Sequence, residues 1–338
     1  MPLSEWGGAR VPGSIGGSEG KLHDQMHPEA TWKVSGKPIR YNCATRKFMV
    51  SSTAPALQSP ARLFPYDKWC RSLPELAKQY RDNYPCPHIR LMDFLKPETA
   101  LAMAAEFPQP SSEQWTQYKH ANENKLGMAH RELFPPTLGA VTDELNSPEF
   151  VAWLSELTGI PNLIADPMLE GGGLHQSGRG GYLNVHTDFS MHHFHTNWHR
   201  RVNLILYLNP GWLEEWGGSL ELWEPRMARC GAKYPPLLNH ALIFTTDDRS
   251  LHGFPDPQKC PQGISRKSLA LYYYTVEPDK KFAVHSTDYF ARPQDGIGKA
   301  FLIWLDKKAV DLYSRAKARF GFSDDFASKV LGFLSGKK

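Results

Sequence analysis

From about residue 165 to 280 the sequence breaks into short β-rich runs separated by turn residues, and this texture limits the fold more than any other feature. The runs are Gly181–Val185, Val202–Leu208, Ser219–Trp223, Ala241–Phe244 and Ser268–Thr275. They are rich in Tyr, Val, Ile, Leu and Trp, and are punctuated by Asn209-Pro210-Gly211 and Trp216-Gly217-Gly218. Runs this short cannot bury both faces alone, so they must pack as one or two antiparallel sheets. Helical patterns precede them. Leu73–Tyr80 has a proline near its start, His88–Phe94 reads as a short strand, and Pro97–Phe107 reads as a helix. The clearest helix has Ser147 as N-cap, Pro148 in its first turn and Gly159 as its stop, with Phe150, Val151, Trp153, Leu154 and Leu157 as its apolar face. Helices followed by many short strands predict a β-sandwich or jelly roll buttressed by helices.

The expected organisation is one catalytic domain. Residues 1–60 form an extended Gly/Ser-rich arm containing Gly13–Gly20, although Trp32, Tyr41, Phe48 and Met49 argue against disorder throughout. Residues 61–164 are a helical support region, 165–280 the β core, and 281–338 a C-terminal helical extension in which Phe301, Leu302, Trp304, Leu305 and Leu312 recur near helical spacing. The formal charge is +4, from 39 basic and 35 acidic residues without long runs of one sign, which argues against nucleic acid and anionic membranes as partners. Five cysteines without CxxC pairing fit a reducing compartment. The N-terminus has neither a basic start nor an apolar run, so the expected location is cytoplasmic. Oligomeric state is not readable.

One strand-like run ends in chemistry: Gly181-Tyr-Leu-Asn-Val-His-Thr-Asp188. Residues i and i+2 of a strand project to one side, so His186 and Asp188 can share a metal. A third donor, His252 in Leu251-His252-Gly253, follows the Ala241–Phe244 strand and a polar turn. The matches His27-Pro28-Glu29 and His130-Arg131-Glu132 lack this strand context. Two imidazoles and a carboxylate suit Fe(II) with open positions on the opposite face, and zinc accepts the same set. Arg266, fourteen residues after His252, favours iron, because a guanidinium can clasp the distal carboxylate of 2-oxoglutarate through two hydrogen bonds.

Residues 88–275 resemble the prolyl 4-hydroxylase-like branch of the Fe(II)/2-oxoglutarate-dependent dioxygenases. The resemblance is carried by His186-x-Asp188, Tyr207-Leu208-Asn209, Trp216-Gly-Gly-Ser-Leu-Glu-Leu222, Leu251-His252-Gly253 and Arg266 before a strand. It implies a mainly β fold, a double-stranded β-helix (jelly roll) core with N-terminal helices packed on it. It also implies His186, Asp188 and His252 as iron ligands, Arg266 and Tyr207 as 2-oxoglutarate contacts, and His175 as a further polar contact to the co-substrate. Dioxygen is the second co-substrate and ascorbate a reductant. The expected reaction is hydroxylation of an unactivated C–H bond, with 2-oxoglutarate decarboxylated to succinate and carbon dioxide. The expected substrate is a prolyl or other peptidyl residue, or a small amino-acid-derived or secondary metabolite; desaturation, epimerisation or ring closure are further outcomes of the same chemistry. Related halogenases lack the carboxylate, so Asp188 argues against halogenation. The alternative class is a non-catalytic jelly-roll metabolite-binding protein with a vestigial metal site.

Other residues have local readings. The histidines 192, 193, 195 and 199 coat a surface loop, line the substrate side or hold a second metal. Trp212, Trp216 and Trp223 are packing residues. Glu221 and Trp223 share a strand face that is expected to look into the barrel. Asp247, Asp248 and Arg249 build the turn before His252, and at least one of Tyr272, Tyr273 and Tyr274 faces inward.

Overall fold

Alternation along two long strands divides the β core into a face that packs under helices and a face that lines a cavity. The computed structural model describes residues 41–42, 47–48, 62–277 and 287–320, with side chains described over 62–277 and 287–308. The unit considered is 39–338. Of the expected arm, β1 (Tyr41–Asn42) and β2 (Lys47–Phe48) are described as a short antiparallel pair. Gly13–Gly20, His27-Pro28-Glu29, Trp32, Cys43 and Met49 lie outside the described residues, as does the tail beyond Phe320, and so does the side chain of Leu312.

The remaining elements are, in order, α1 (Tyr66–Arg71), α2 (Leu73–Asp82), β3 (His88–Leu91), α3 (Pro97–Glu106), β4 (Thr116–His120), β5 (Glu123–Met128), α4 (Pro136–Leu145) and α5 (Pro148–Thr158). Then come β6 (Ile164–Ala165), β7 (Gly173–Ser177), β8 (Tyr182–Thr187), β9 (Trp198–Tyr207), β10 (Leu220–Trp223), β11 (Cys230–Tyr234) and β12 (Ala241–Thr245). The chain ends with β13 (Leu251–Phe254), β14 (Arg266–Val276), β15 (Asp288–Tyr289) and α6 (Gly296–Phe320). Strands β3 to β15 form one antiparallel sheet in the order β11-β10-β13-β8-β5-β7-β14-β9-β12-β3, with β4 added to β5, β15 to β8 and β6 to β14. The sheet curls into a nearly closed jelly roll, the double-stranded β-helix expected from the sequence.

The helical region 61–164 also contributes strands. β3 extends the sheet beside β12, and the β4–β5 hairpin joins it beside β7 and β8. The helix framed by Ser147 and Gly159 forms as expected: the Ser147 hydroxyl accepts from the Phe150 amide at 3.3 Å, and Gly159 closes it at φ 72°. Its Phe150 and Trp153 are fully buried and meet Phe64 edge-on. They belong to one large apolar cluster that includes Val202, Leu204 and Leu206 of β9, Ala241 and Ile243 of β12, and Leu269, Leu271 and Tyr273 of β14. Losing one such ring costs about 3–5 kcal/mol. The opposite face carries a second cluster, with Tyr207, Leu242, Phe244 and Phe254.

Leu220 and Leu222 belong to that inner cluster, which corrects the expected facing of β10. Glu221 and Trp223 point the other way, with Trp223 Nε1 donating to Glu221 at 2.9 Å. Trp212 and Trp216 pack edge to face, as packing residues should. Cys86, Cys230 and Cys260 are free thiols. Among the described residues, no helix is long and apolar enough to cross a membrane.

Two register breaks set the inner face. Between β13 and β8, His252 opposes His186 but Phe254 opposes Leu183, so β8 carries one extra residue. The bulge turns both Leu183 and His186 towards the cavity. It also presses the β8 backbone against Gly253, where a Cβ would lie 2.8 Å from the carbonyl oxygens of Leu183 and Asn184. That contact explains the glycine after His252. Gly253→Ala is expected to destabilise the protein by about 1–3 kcal/mol, seen as a lower thermal midpoint. Gly178→Ala, whose Cβ would meet nothing nearer than 3.8 Å, should stay within about 0.5 kcal/mol. Equal midpoints for the two variants would remove the bulge argument.

Candidate functional site

The three donors named from sequence converge in a cavity of about 200 Å³. His186 closes β8 with Thr187, Asp188 follows the strand, and His252 sits directly across on β13. One donor atom from each lies within 4.8 Å of the others. Asp188 Oδ1 is 3.6 Å from His186 Nε2, and its Oδ2 is 3.4 Å from His252 Nε2. The Nδ1 atoms approach the carbonyls of Asn184 and Ser250, each at 2.9 Å. A carbonyl oxygen accepts, so each Nδ1 carries a proton and each Nε2 is the nitrogen turned inward, where it can offer a lone pair to a metal. Burial, then His186 and Arg200, press the His252 pKa down to about 4 against the pull of Asp188, so its ring is neutral at pH 7. Lone pairs facing a carboxylate at this range repel unless a cation lies among them. The donor set therefore fits a divalent metal.

Asp188 is built to stay charged. Burial opposes its ionisation, yet the Arg200 guanidinium beside it holds it well below the usual carboxylate range. Asn203 Nδ2 donates to Asp188 Oδ2 at 2.7 Å, and Arg200 Nη2 lies 3.1 Å from the same oxygen. Arg200 also donates from Nε to Asn203 Oδ1 at 2.9 Å and lies 3.4 Å above the Tyr272 ring centre. It reaches this face through the second register break: Tyr273 opposes Val202 but Tyr274 opposes Arg200, leaving Arg201 as the extra residue of β9. Sequence reading assigned no role to Asn203 or Arg200. An asparagine within the apolar run Val202–Leu206 was a signal; the bulge gave none.

Arg266 opens β14 and is buried. Its Nε donates to the Gly218 carbonyl at 2.7 Å and its Nη2 to the Tyr207 hydroxyl at 3.2 Å, while its plane lies over Phe254. Gly218, at φ 73°, would bring a Cβ within 3.1 Å of the Arg266 side chain, which accounts for the Trp-Gly-Gly turn. Among the described residues no carboxylate pairs with this guanidinium. Tyr207 is buried behind the arginine and is not among the residues lining the cavity, whereas Ser268, two positions along β14, is. His175 lines the cavity from β7 and has no side-chain hydrogen bond among the described residues. Burial, then the nearby cations Lys125, Arg266 and Arg200, hold its pKa down to about 3. The long excursion before Arg266 is packed, with Gln258 donating to Ser177 and exchanging backbone bonds with Gly180 and Gly181.

Neighbouring motifs divide between shaping and lining. Asp247 accepts from Ser250 Oγ and the Arg249 amide, so the polar turn fixes the carbonyl that orients His252. His192 is buried: its Nδ1 accepts from the Phe194 and His195 amides, and its Nε2 lies 3.5 Å from Asp166. His193 pairs with Glu170, His195 stacks on Trp198, and His199 lies 3.5 Å from Glu277. These histidines shape their loop, and among the described residues no second group of three donors converges. His130 pairs with exposed Glu132.

The far wall comes from segments that sequence reading left without a role. Glu123 and Lys125 enter from β5, and Tyr289 of β15 stands opposite His186. His120 bridges Glu123, at 2.9 Å, and Asp306 of α6, at 3.1 Å. Burial works against its charge, but Asp306 and Glu123 prevail and raise its pKa to about 9.

Two outcomes follow from these contacts. Asn203→Ala should weaken Co(II) or Mn(II) affinity by about 10- to 100-fold with little change in melting temperature. Unchanged affinity would detach Asn203 from the metal site. A histidine raised from 6.5 to about 9 adds stability that is complete below about pH 6.5 and is lost as pH rises through 9. The stability lead of the wild type over His120→Gln, read by urea unfolding, should therefore be larger at pH 6 than at pH 10. A lead independent of pH would refute the charged bridge.

Residues 172–274 match the profile of the 2OG-Fe(II) oxygenase superfamily. No curated protein sequence matches the chain significantly. Among solved structures, a Trichoplax adhaerens prolyl hydroxylase, in complex with a hypoxia-inducible factor peptide fragment, is similar at 18% identity, covering 60% of this chain and 89% of that one, with a TM-score of 0.43. A Pseudomonas putida prolyl-4-hydroxylase gives 19% identity, 60% and 100% coverage and 0.39. A prolyl 4-hydroxylase from Phytophthora capsici gives 20% identity, 73% and 77% coverage and 0.45. The profile match covers about a third of the chain and spans His175, the three donors and Arg266; with the converging donor set it supports a dioxygenase that uses Fe(II) and 2-oxoglutarate.

Proposed function

We propose that this dioxygenase hydroxylates an unactivated C–H bond of a prolyl or other peptidyl residue, or of a small amino-acid-derived or secondary metabolite, with 2-oxoglutarate decarboxylated to succinate and carbon dioxide. His186, Asp188 and His252 would hold the iron, and Arg266 the distal carboxylate of 2-oxoglutarate, with Tyr207 steadying the arginine from behind. His175 would offer a neutral ring nitrogen to the co-substrate. One observation carries the reading: a buried guanidinium, without a counter-carboxylate among the described residues, opens on the same cavity as three converging metal donors. A metabolite-binding jelly roll has no use for both.

Bound Fe(II) with 2-oxoglutarate supplies the dioxygen activation and the oxidising power. The chain's residues supply position and charge. The two Nδ1–H bonds fix the imidazoles so that no rotation is needed to offer Nε2. Arg200 and Asn203 keep Asp188 charged and aimed. Burial strips water from Arg266, lowers its pKa from the ordinary guanidinium value and strengthens its attraction for an anion. Phe189, Tyr272 and Tyr289 wall the cavity with rings that limit bulk water.

The test is calorimetric binding of 2-oxoglutarate under nitrogen with Mn(II), followed by succinate release with Fe(II) and ascorbate. Binding should require the metal. Asp188→Ala should abolish succinate release, and Arg266→Ala should weaken 2-oxoglutarate by about 10- to 100-fold. Chelation should stop turnover and added Fe(II) should restore it. Full turnover by Asp188→Ala, or 2-oxoglutarate affinity untouched by Arg266→Ala, would overturn these roles.

A further inference from the structure

Beyond the metal donors, Arg266 and the Asp188-paired Arg200, the cavity wall carries a lysine with unspent hydrogen-bonding capacity. Lys125 projects from β5, its side chain 18% exposed and opening on the cavity. Its Nζ lies 3.0 Å from Glu123 Oε2 and 5.4 Å from the Tyr118 ring centre. An ammonium has three N–H donors. Glu123 can take one, and among the described residues no other acceptor is within hydrogen-bonding reach. Of the other two cations, Arg266 is held by Gly218 and Tyr207, while Arg200 is paired with Asp188 and donates from Nε to Asn203 beneath the Tyr272 ring, its Nη atoms making no hydrogen bond among the described residues.

Glu123 does not belong to Lys125 alone. Its second oxygen is held by His120, which Asp306 of α6 holds in turn. The carboxylate is thus shared between two cations and anchored from behind. Lys125 is left pinned at the wall with N–H donors to spare. The C-terminal segment is fastened to the same place: Tyr289 pairs across from His186, the Phe290 amide donates to the Val185 carbonyl at 2.8 Å, and Lys307 pairs with Asp288.

We propose that Lys125 is a specificity-determining residue that receives a carboxylate of a small organic substrate, with Tyr289 walling the substrate in from the C-terminal side. One ammonium suits one carboxylate, whereas a phosphate dianion would call for a second cation and Arg200 is already paired with Asp188. A neutral peptide carbonyl would take the same N–H donors in a weaker hydrogen bond than a carboxylate's charge-assisted one. The inference rests on the hydroxylase reading and deepens it by naming the substrate class.

The full chain, loaded with Mn(II) and saturating 2-oxoglutarate under nitrogen, is titrated calorimetrically with matched probes: L-amino acids against their amides, and benzoate against benzamide. The acids should bind about tenfold tighter than the amides. Lys125→Met should bring the ratio to about one and Lys125→Arg should keep a preference for acids, while both variants retain 2-oxoglutarate affinity and thermal midpoint. Retained affinity shows that each variant is folded. Three results overturn the proposal: acids no better than amides in the wild type, silence included; a preference that survives Lys125→Met; or 2-oxoglutarate binding lost in Lys125→Met, which would give the lysine to the co-substrate. Failure of the wild type to bind 2-oxoglutarate at all strikes the hydroxylase reading instead.

Discussion

A carboxylate taken out of water has to be matched by positive charge, and Asp188 imposes that demand on everything around it. An isolated ion here would take up a proton rather than stay charged. Arg200 and Asn203 prevent this, and both stand on β9, one register break apart. Arg200 is itself nearly inaccessible, and its guanidinium packs against the Tyr272 and Phe189 rings. The pair is therefore rigid before any metal arrives. A metal held by Asp188, His186 and His252 would meet donors that are already oriented by their own hydrogen bonds.

Such a polar inner wall is tolerable because the outer face of the same strands is apolar. On β14, Leu269, Leu271 and Tyr273 pack beneath α5 while Arg266, Ser268, Ala270 and Tyr272 line the cavity. On β9, Leu204 and Leu206 answer them, with Ile205 and Tyr207 turned inward. The desolvation cost of the buried charges is offset by burial of the aromatic-rich cluster, whose members each contribute about 1.5–3 kcal/mol. A register slip of one residue would exchange the two faces entirely. The helices thus support catalysis indirectly, by fixing which side of each strand is wet.

Much of this could be read from residues, and what could not has a physical reason. The His186-x-Asp188 pair needed only the two-residue repeat of a strand, and Ser147, Pro148 and Gly159 framed their helix with local signals. His252 and Arg266 were legible because each adjoins a β-rich run. The facing of Glu221 came out reversed, since four residues of β10 carry too little alternation to orient it without its partners. The β4–β5 hairpin was hidden within a helical region because β4 is mostly exposed and its composition, Thr-Gln-Tyr-Lys-His, has no apolar face. Arg200 could not be placed without the bulge at Arg201. Tyr289 sits on a two-residue strand defined entirely by its pairing with β8.

The far-wall residues that escaped the sequence reading share a location. The metal donors, Arg266 and His175 fall inside the matched segment 172–274, whereas Tyr118, Glu123, Lys125 and Tyr289 come from either side of it. The reaction needs fixed geometry at the iron and co-substrate, which the central strands supply through long, paired β-ladders. Choice of substrate needs a wall that can differ without disturbing those ladders. A hairpin and a C-terminal strand laid against the edge of the roll meet that requirement. His120 and Asp306 bind the two together across 186 residues of sequence, so the wall closes as one piece although neither segment belongs to the roll's central ladder. A change of selectivity could then arise at Lys125 or Tyr289 while Asp188 and its partners stay as they are.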